Sequence, residues 1–286
     1  MAKSKHGSRS AGSEIRDYLE VQQAALVAGD AALRGGADAV HPTRVATRRM
    51  RSVLRVFEEF LDPARAQHLD EELAWFAGLL GRLRDAEVQR ERLLAALGAL
   101  PEDAVVGNVA ARITTFLEQR SERARAALDT AMAKRRYADL LSECAAWAAD
   151  PPLSRRARKK SSALEKAMDR ATKKVRRTLA SALATADEEE LHRARKQGKR
   201  ARYAAELAAP AMGRATRTRI RRFEHLQSIL GEHQDAIVAM ELLQRMAESV
   251  SAVPRESGFT FGVLYARELR SATKSRKKAF SAAAKL

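Results

Sequence analysis

Two stretches of this chain share one pattern, "HPTRVATRRMRSVLR" at 41–55 and "HRARKQGKRARYAAE" at 192–206, and the pair constrains the fold more than any other feature. His41 aligns with His192, Arg44 with Arg195, Arg48 with Lys199, Arg49 with Arg200 and Arg51 with Arg202. About thirty residues further on, "LLGRLRDAEV" (79–88) matches "ILGEHQDAIV" (229–238), so that Gly81 pairs with Gly231 and Asp85 with Asp235. Two marks in the same order, offset by 151 and then 150 residues, predict a duplicated structural unit.

The unit is helical. Alanine, leucine, arginine and glutamate dominate, no stretch alternates with the period of two that strands require, and Pro and Gly cluster between long periodic segments. These breaks place helices at about 13–34, 41–61, 64–97, 104–133, 136–149, 154–184, 187–209, 214–250 and 258–283. The expectation is an all-α fold of two four-helix bundles related by an internal pseudo-twofold axis. Residues 1–12 read as a disordered polar tail, repeat one spans about 13–133 and repeat two about 136–284. Gly81 and Gly231 are expected where another helix crosses closely.

Each basic stretch makes one face of its helix cationic. At about 100° per residue, Arg44, Arg48, Arg51 and Arg55 fall within roughly 80° of His41, and Val53 and Phe57 fall on the broad opposite side. From 41 to 55 the row runs about 21 Å. The second copy places His192, Arg195, Lys199 and Arg202 on one face, widened by Lys196 and Arg200, with Tyr203 beside it. Like charges at these spacings repel, and neither row contains an interleaved acid, so other helices or a ligand must supply negative charge. Arginine's planar fork grips phosphate oxygens in pairs. Asp85 and Asp235 are read as structural, holding basic side chains of a neighbouring helix. A looser basic surface, Lys166, Arg170, Lys173, Lys174, Arg177, Arg221 and Arg222, fits a solvated face as well as a binding face.

The formal net charge is +17, and it lies wholly in the second half: residues 1–150 carry equal numbers of acids and bases. Such a balance calls for a polyanionic partner. One cysteine, Cys144, excludes an internal disulfide or a zinc cluster, and no apolar run suggests a leader or a membrane span, so a cytoplasmic protein is expected. There is no Walker loop and no Gly-x-Ser-x-Gly elbow. Glu189 and His192 form an E-x-x-H spacing, but a di-iron bundle needs two, so no metal and no cofactor is expected.

The two stretches resemble the paired signatures of the CHAD family, the conserved histidine α-helical domain. His41, Arg44, Val45, Ala46, Arg48, Arg49, Arg51, Leu54 and Arg55 meet its first pattern; His192, Arg195, Lys196, Lys199, Arg200, Arg202, Tyr203 and Glu206 meet its second. Both are followed by the family's L-G-x-x-x-D, and the resemblance spans about 13–284. It implies two four-helix bundles with a basic central surface that binds inorganic polyphosphate, and an association with polyphosphate granules. Many members are fused to a CYTH-type triphosphatase domain, for which these 286 residues leave no room. The function expected is non-enzymatic polyphosphate binding through the thirteen residues His41, Arg44, Arg48, Arg49, Arg51, Arg55, His192, Arg195, Lys196, Lys199, Arg200, Arg202 and Tyr203. The alternatives are a non-specific nucleic-acid-binding protein and a phosphohydrolase acting on polyphosphate.

Overall fold

The computed structural model describes residues 9–185, 187–251 and 257–286. Residues 1–8 of the expected tail, Ala186 and residues 252–256 of the expected break before the last helix lie outside the described residues. The described chain is helical in the order α1 (Ala11–Arg34), α2 (Val40–Val56), α3 (Pro63–Gly98), α4 (Val109–Met132), α5 (Arg135–Ala149), α6 (Leu164–Thr185), α7 (Glu188–Met212), α8 (Arg214–Ser251) and α9 (Phe259–Ala283). Extended pairing among the described residues is limited to single bridges, Ser10 with Lys160 and Leu61 with Leu153.

Local chemistry explains most boundaries. Ser10 caps α1 by accepting from the Ser13 amide, so Ala11 and Gly12, expected in the tail, form its buried first turn instead. Asp62 caps α3 in front of Pro63, whose missing amide costs nothing at the first helical position. Asp187 caps α7 through the amides of Glu189 and Glu190, and three glutamates there face the positive end of the helix dipole. Four other boundaries differ from the expectation by three residues or more, among them the end of α2 at Val56 rather than 61, ahead of a 3₁₀ turn at Glu58–Phe60, and the start of α4 at Val109 rather than 104, after a 3₁₀ turn at Glu102–Ala104. α6 begins at Leu164 rather than 154, because 155–158 and 161–163 form short 3₁₀ turns. α7 runs through Pro210 to Met212, since a proline in the last turn removes a single backbone bond, and the helix stops at Gly213 with φ 71°.

Helices α1 to α4 and α6 to α9 follow in the same order, with the long α3 of 36 residues and α8 of 38 in corresponding places, while α2 has 17 residues and α7 has 25. α5 is assigned to repeat two by the repeat boundary at about 136. Its Tyr137, Leu140, Cys144 and Trp147 pack into the first core with α1, α2 and α3. Burial pushes the Cys144 thiol up to about 12, which keeps it protonated.

Among the described residues the buried apolar side chains form three clusters. The first joins α1, α2 and α5 with the first half of α3, the C-terminal half of α4, the start of α6 and the C-terminal turns of α7. A second joins α6, the start of α7, the first half of α8 and the end of α9. The third is shared: Leu93 and Leu97 of α3 and Ile113 and Leu117 of α4 meet Leu242, Leu243 and Met246 of α8 and Phe261 and Leu264 of α9. Arg92 reinforces that junction through Glu232 and Glu268, and Gln89 donates to the Asp235 carbonyl at 3.0 Å.

Gly81 and Gly231 are not close crossings: a Cβ on Gly81 would meet only the Arg44 guanidinium, at 3.6 Å, and one on Gly231 would meet nothing. The close crossing is Gly29 of α1, where a Cβ would lie 2.1 Å from Thr43 Oγ1 of α2.

Candidate functional site

The two basic helices, α2 and α7, pack against each other, and a cavity of about 680 Å³ opens along their junction with α3 and α8 as its walls. His41, Arg44, Arg48 and Arg51 of α2 line it together with His192, Arg195, Lys196, Lys199, Arg200 and Tyr203 of α7. Sequence positions some 150 residues apart thus share one cleft.

Three of the expected residues do not line it. Arg49 falls on the other flank of α2, where its Nε donates to Glu206 at 3.1 Å and its guanidinium lies over the Tyr203 ring. Arg202 turns to the same Glu206 at 3.1 Å and also lies over that ring, 4.7 Å from its centroid. Arg55, about one turn beyond Arg51, reaches back to Asp70 with its Nε at 2.8 Å. These three cations are neutralised within the fold.

Acids from other helices answer part of the repulsion along the rows. Asp70 of α3, only 7% exposed, accepts from Arg51 at 3.0 Å and from Arg55. Its burial works to raise its pKa, but the two guanidinium bonds outweigh that and hold the carboxyl below its ordinary range. Asp85 stands 3.4 Å from Arg44, and Asp235 stands 3.8 Å from Arg195, so the repeated aspartates hold the repeated arginines. Asp85 is 63% exposed, whereas burial raises the pKa of Asp235 despite Arg195, Arg92 and Lys199 nearby.

Among the described residues, Arg48, Lys196, Lys199 and Arg200 have no carboxylate in ion-pair contact. Arg48 donates to the Tyr203 hydroxyl at 3.4 Å, and its buried Nε has no acceptor; the buried Nε of Arg195 has none either. Burial, with Arg195, Arg48 and Arg44 around it, pulls the Lys199 ammonium down to about 6. Burial and the charges of Arg55 and Arg51 lower Arg200 to about 10. Burial also depresses Lys196, with Arg200, Arg195 and Arg51 adding to it. This is a partly buried cluster of cations with too few anions.

Neither histidine caps its helix. The N-cap of α2 is Ala39 and that of α7 is Asp187. His41 lies at the cleft edge, its pKa lowered by burial and by Arg84, Arg48 and Arg44. His192 has its Nδ1 2.5 Å from Gln234 Oε1, and burial followed by neighbouring cations outweighs that bond to lower its pKa too. The sequence reading missed Asp70, Arg84 and Gln234. The last two were within its reach, since each lies three residues after the repeated glycine; Asp70 has no counterpart in the repeat.

The looser basic surface does not reach this cleft. Arg170 pairs with Glu59, Arg221 donates to Thr218 at 3.2 Å, and Lys166, Lys174 and Arg177 are exposed. Lys173 and Arg222 line a separate cavity between α6 and α8, with Arg176, Arg219 and Asp169. Among the described residues no three His, Cys, Asp or Glu side chains gather where they could hold a metal ion. No described helix is long and apolar enough to cross a membrane.

Known proteins resemble the chain at the level of sequence and of fold. The CHAD domain family model matches residues 17–244. Uncharacterized proteins of Mycobacterium tuberculosis strains CDC 1551 / Oshkosh and ATCC 25618 / H37Rv are each 30% identical to it over 291 residues, covering 98% of this chain and 54% of their own. The chain therefore spans about half the length of the curated relatives it matches. Among solved structures, PptA from Streptomyces chartreusis superposes with a TM-score of 0.82 at 22% identity, covering 96% of this chain and 99% of that one. The CHAD domain from the plant Ricinus communis superposes with a TM-score of 0.70 at 20% identity, covering 100% and 96%. At those identities the likeness is one of fold.

Proposed function

Since the chain belongs to the CHAD domain family, we propose that it binds inorganic polyphosphate, without acting on it chemically, in the cleft between α2 and α7. One observation carries this reading: Arg48, Lys196, Lys199 and Arg200, drawn from both copies of the repeat, face one cavity without an ion-paired acid among the described residues. Like charges in a partly desolvated cleft repel more strongly than in water, and a bound polyanion removes that repulsion while supplying acceptors for the buried Nε atoms of Arg48 and Arg195. Guanidinium groups take non-bridging oxygens in charge-assisted bonds, and a polymer gains affinity by engaging many of them at once.

The pairing of the cleft's groups supports binding without chemistry. Its carboxylates, Asp85 and Asp235, are turned to Arg44 and Arg195, and His192 is turned to Gln234. Its one aromatic, Tyr203, is 2% exposed and flanked by Arg49 and Arg202, so it offers no platform on which a nucleic-acid base could stack. In the cell the protein is then expected to follow its ligand to polyphosphate granules.

The test is titration with fluorescent long-chain polyphosphate at physiological salt, competed by single-stranded RNA at equal phosphate concentration. Strong binding that RNA fails to displace is expected. Arg48→Glu with Lys199→Glu should lower the affinity by a hundredfold or more; a double variant that keeps wild-type affinity sinks the cleft as the site. Phosphate release in the presence of magnesium or manganese would instead favour the hydrolase.

A further inference from the structure

We propose that a polyphosphate chain held in the central cleft leaves it over α3 and runs onto α4, along Arg82, Arg120 and Arg123. This rests on the polyphosphate reading above and adds a direction to it. A second cavity, of about 460 Å³, lies between α3, α4 and α8, with the three arginines above a floor that includes Leu117 and Leu242. It shares Arg82, Asp85, Gln89 and Val238 with the central cleft, so the two are continuous. All three arginines are exposed, and none is ion-paired among the described residues; Arg120 lies 5.9 Å over the Phe116 ring. Asp85 is the carboxylate at the junction, and it stands beside Arg44.

The repeat makes the asymmetry visible. Arg82 follows Gly81 on α3, and the residue that follows Gly231 on α8 is Glu232. Glu232 binds both Nη atoms of Arg92, at 2.7 and 3.0 Å, and accepts from Ser271 at 2.7 Å. Arg92 is held from its other side by the buried Glu268 of α9, at 2.6 Å. The arginine at the corresponding place by α8 is therefore already neutralised, whereas Arg82, Arg120 and Arg123 on the route over α3 have no ion-paired acid among the described residues. A long chain can occupy both cavities and bind as a bivalent ligand does; a short one fills only the first.

The experiment compares long-chain polyphosphate with tripolyphosphate on the wild type and on Arg120→Glu with Arg123→Glu, both positions on the exposed face of α4. A second double variant, Lys134→Glu with Arg135→Glu at the exposed start of α5, makes the same charge change elsewhere. The expected result is a loss of tenfold or more for the long chain in the α4 variant, with tripolyphosphate within twofold of wild type and the control variant nearly unchanged. Equal losses for both ligands, an unchanged long-chain affinity, or a control variant that loses as much each overturns the route while leaving the central cleft standing. A wild type that binds neither ligand overturns the cleft and the route together.

Discussion

Lys199 sets the sharpest quantitative expectation. In the ligand-free cleft its ammonium is buried beside Arg44 and Arg48 of α2 and Arg195 of α7, with Asp235 of α8 too weak a counterweight, and its pKa falls from 10.5 to about 6. Above pH 7 the group is therefore mostly neutral. A phosphate oxygen in the cleft favours the charged form, so binding must take up a proton, close to one per site between pH 7 and pH 9. Each pH unit across that window then weakens binding about tenfold, roughly 1.4 kcal/mol, for a total of about a hundredfold. Burial and neighbouring cations lower the pKa of both histidines in the ligand-free cleft, and the internal phosphates of a long chain stay ionised. Calorimetry at pH 8 in buffers of different ionisation enthalpy counts the proton directly. Lys199→Met should show no uptake and a nearly flat profile, and Lys199→Arg, which holds its charge, a flat profile at higher affinity. A wild type that takes up no proton, or a Lys199→Met variant with the wild-type slope, refutes the reasoning. The ligand-free fold responds in the opposite sense. Its Lys199 binds fewer protons than the unfolded chain between about 6 and 10.5, so its stability rises with pH across that range and Lys199→Met should melt higher than wild type.

Asp70→Asn removes the carboxylate shared by Arg51 and Arg55 and should cost about 2 kcal/mol in urea unfolding, somewhat less than for a fully buried pair. Because the Asp70 pKa is depressed by folding, its contribution is present above the ordinary 3.8 and is lost as pH falls through the folded value, so wild type and variant should converge in acid. Gly29→Ala drives a methyl into Thr43 at the crossing of α1 and α2 and should destabilise by about 1–3 kcal/mol; an unchanged melting temperature would show that the crossing adjusts freely. Tyr203→Phe gives up only a 3.4 Å bond to Arg48 and should change polyphosphate affinity by about threefold or less, whereas Tyr203→Ala should cost about 3–5 kcal/mol of stability by the cavity it leaves.

Much of this molecule is legible along the chain because its signals are local. Periodicity and breakers gave the helices, and the errors came where neighbours intervened: the 3₁₀ turns before Leu164 are tied to the start of α1, with the Ala11 amide bonded to the Lys159 carbonyl, and α7 tolerates Pro210 because its C-terminal turns are packed in the first core. The placement of α5 was not legible, since an amphipathic helix between two repeats can close either one. Only Tyr137, Leu140 and Trp147 against the first core decide it. The third apolar cluster was hidden for a similar reason: Leu93 and Leu243 are apolar positions on long helices, and nothing in their spacing says that two hairpins from different repeats bury them together.

By itself the sequence determined that the fold is helical, that it is duplicated, and that one face of α2 and of α7 is cationic, because helical spacing fixes which side chains share a face. Which of those cations remain without a counter-charge was decided by the tertiary structure alone. Arg49, Arg55 and Arg202 meet Glu206 and Asp70, while Arg48, Lys196, Lys199 and Arg200 meet one another, and only the packing of α2, α3, α7 and α8 distinguishes the two groups. Charge along one helix adds up residue by residue, but neutralisation acts across a few ångströms of space, between side chains that the sequence places far apart.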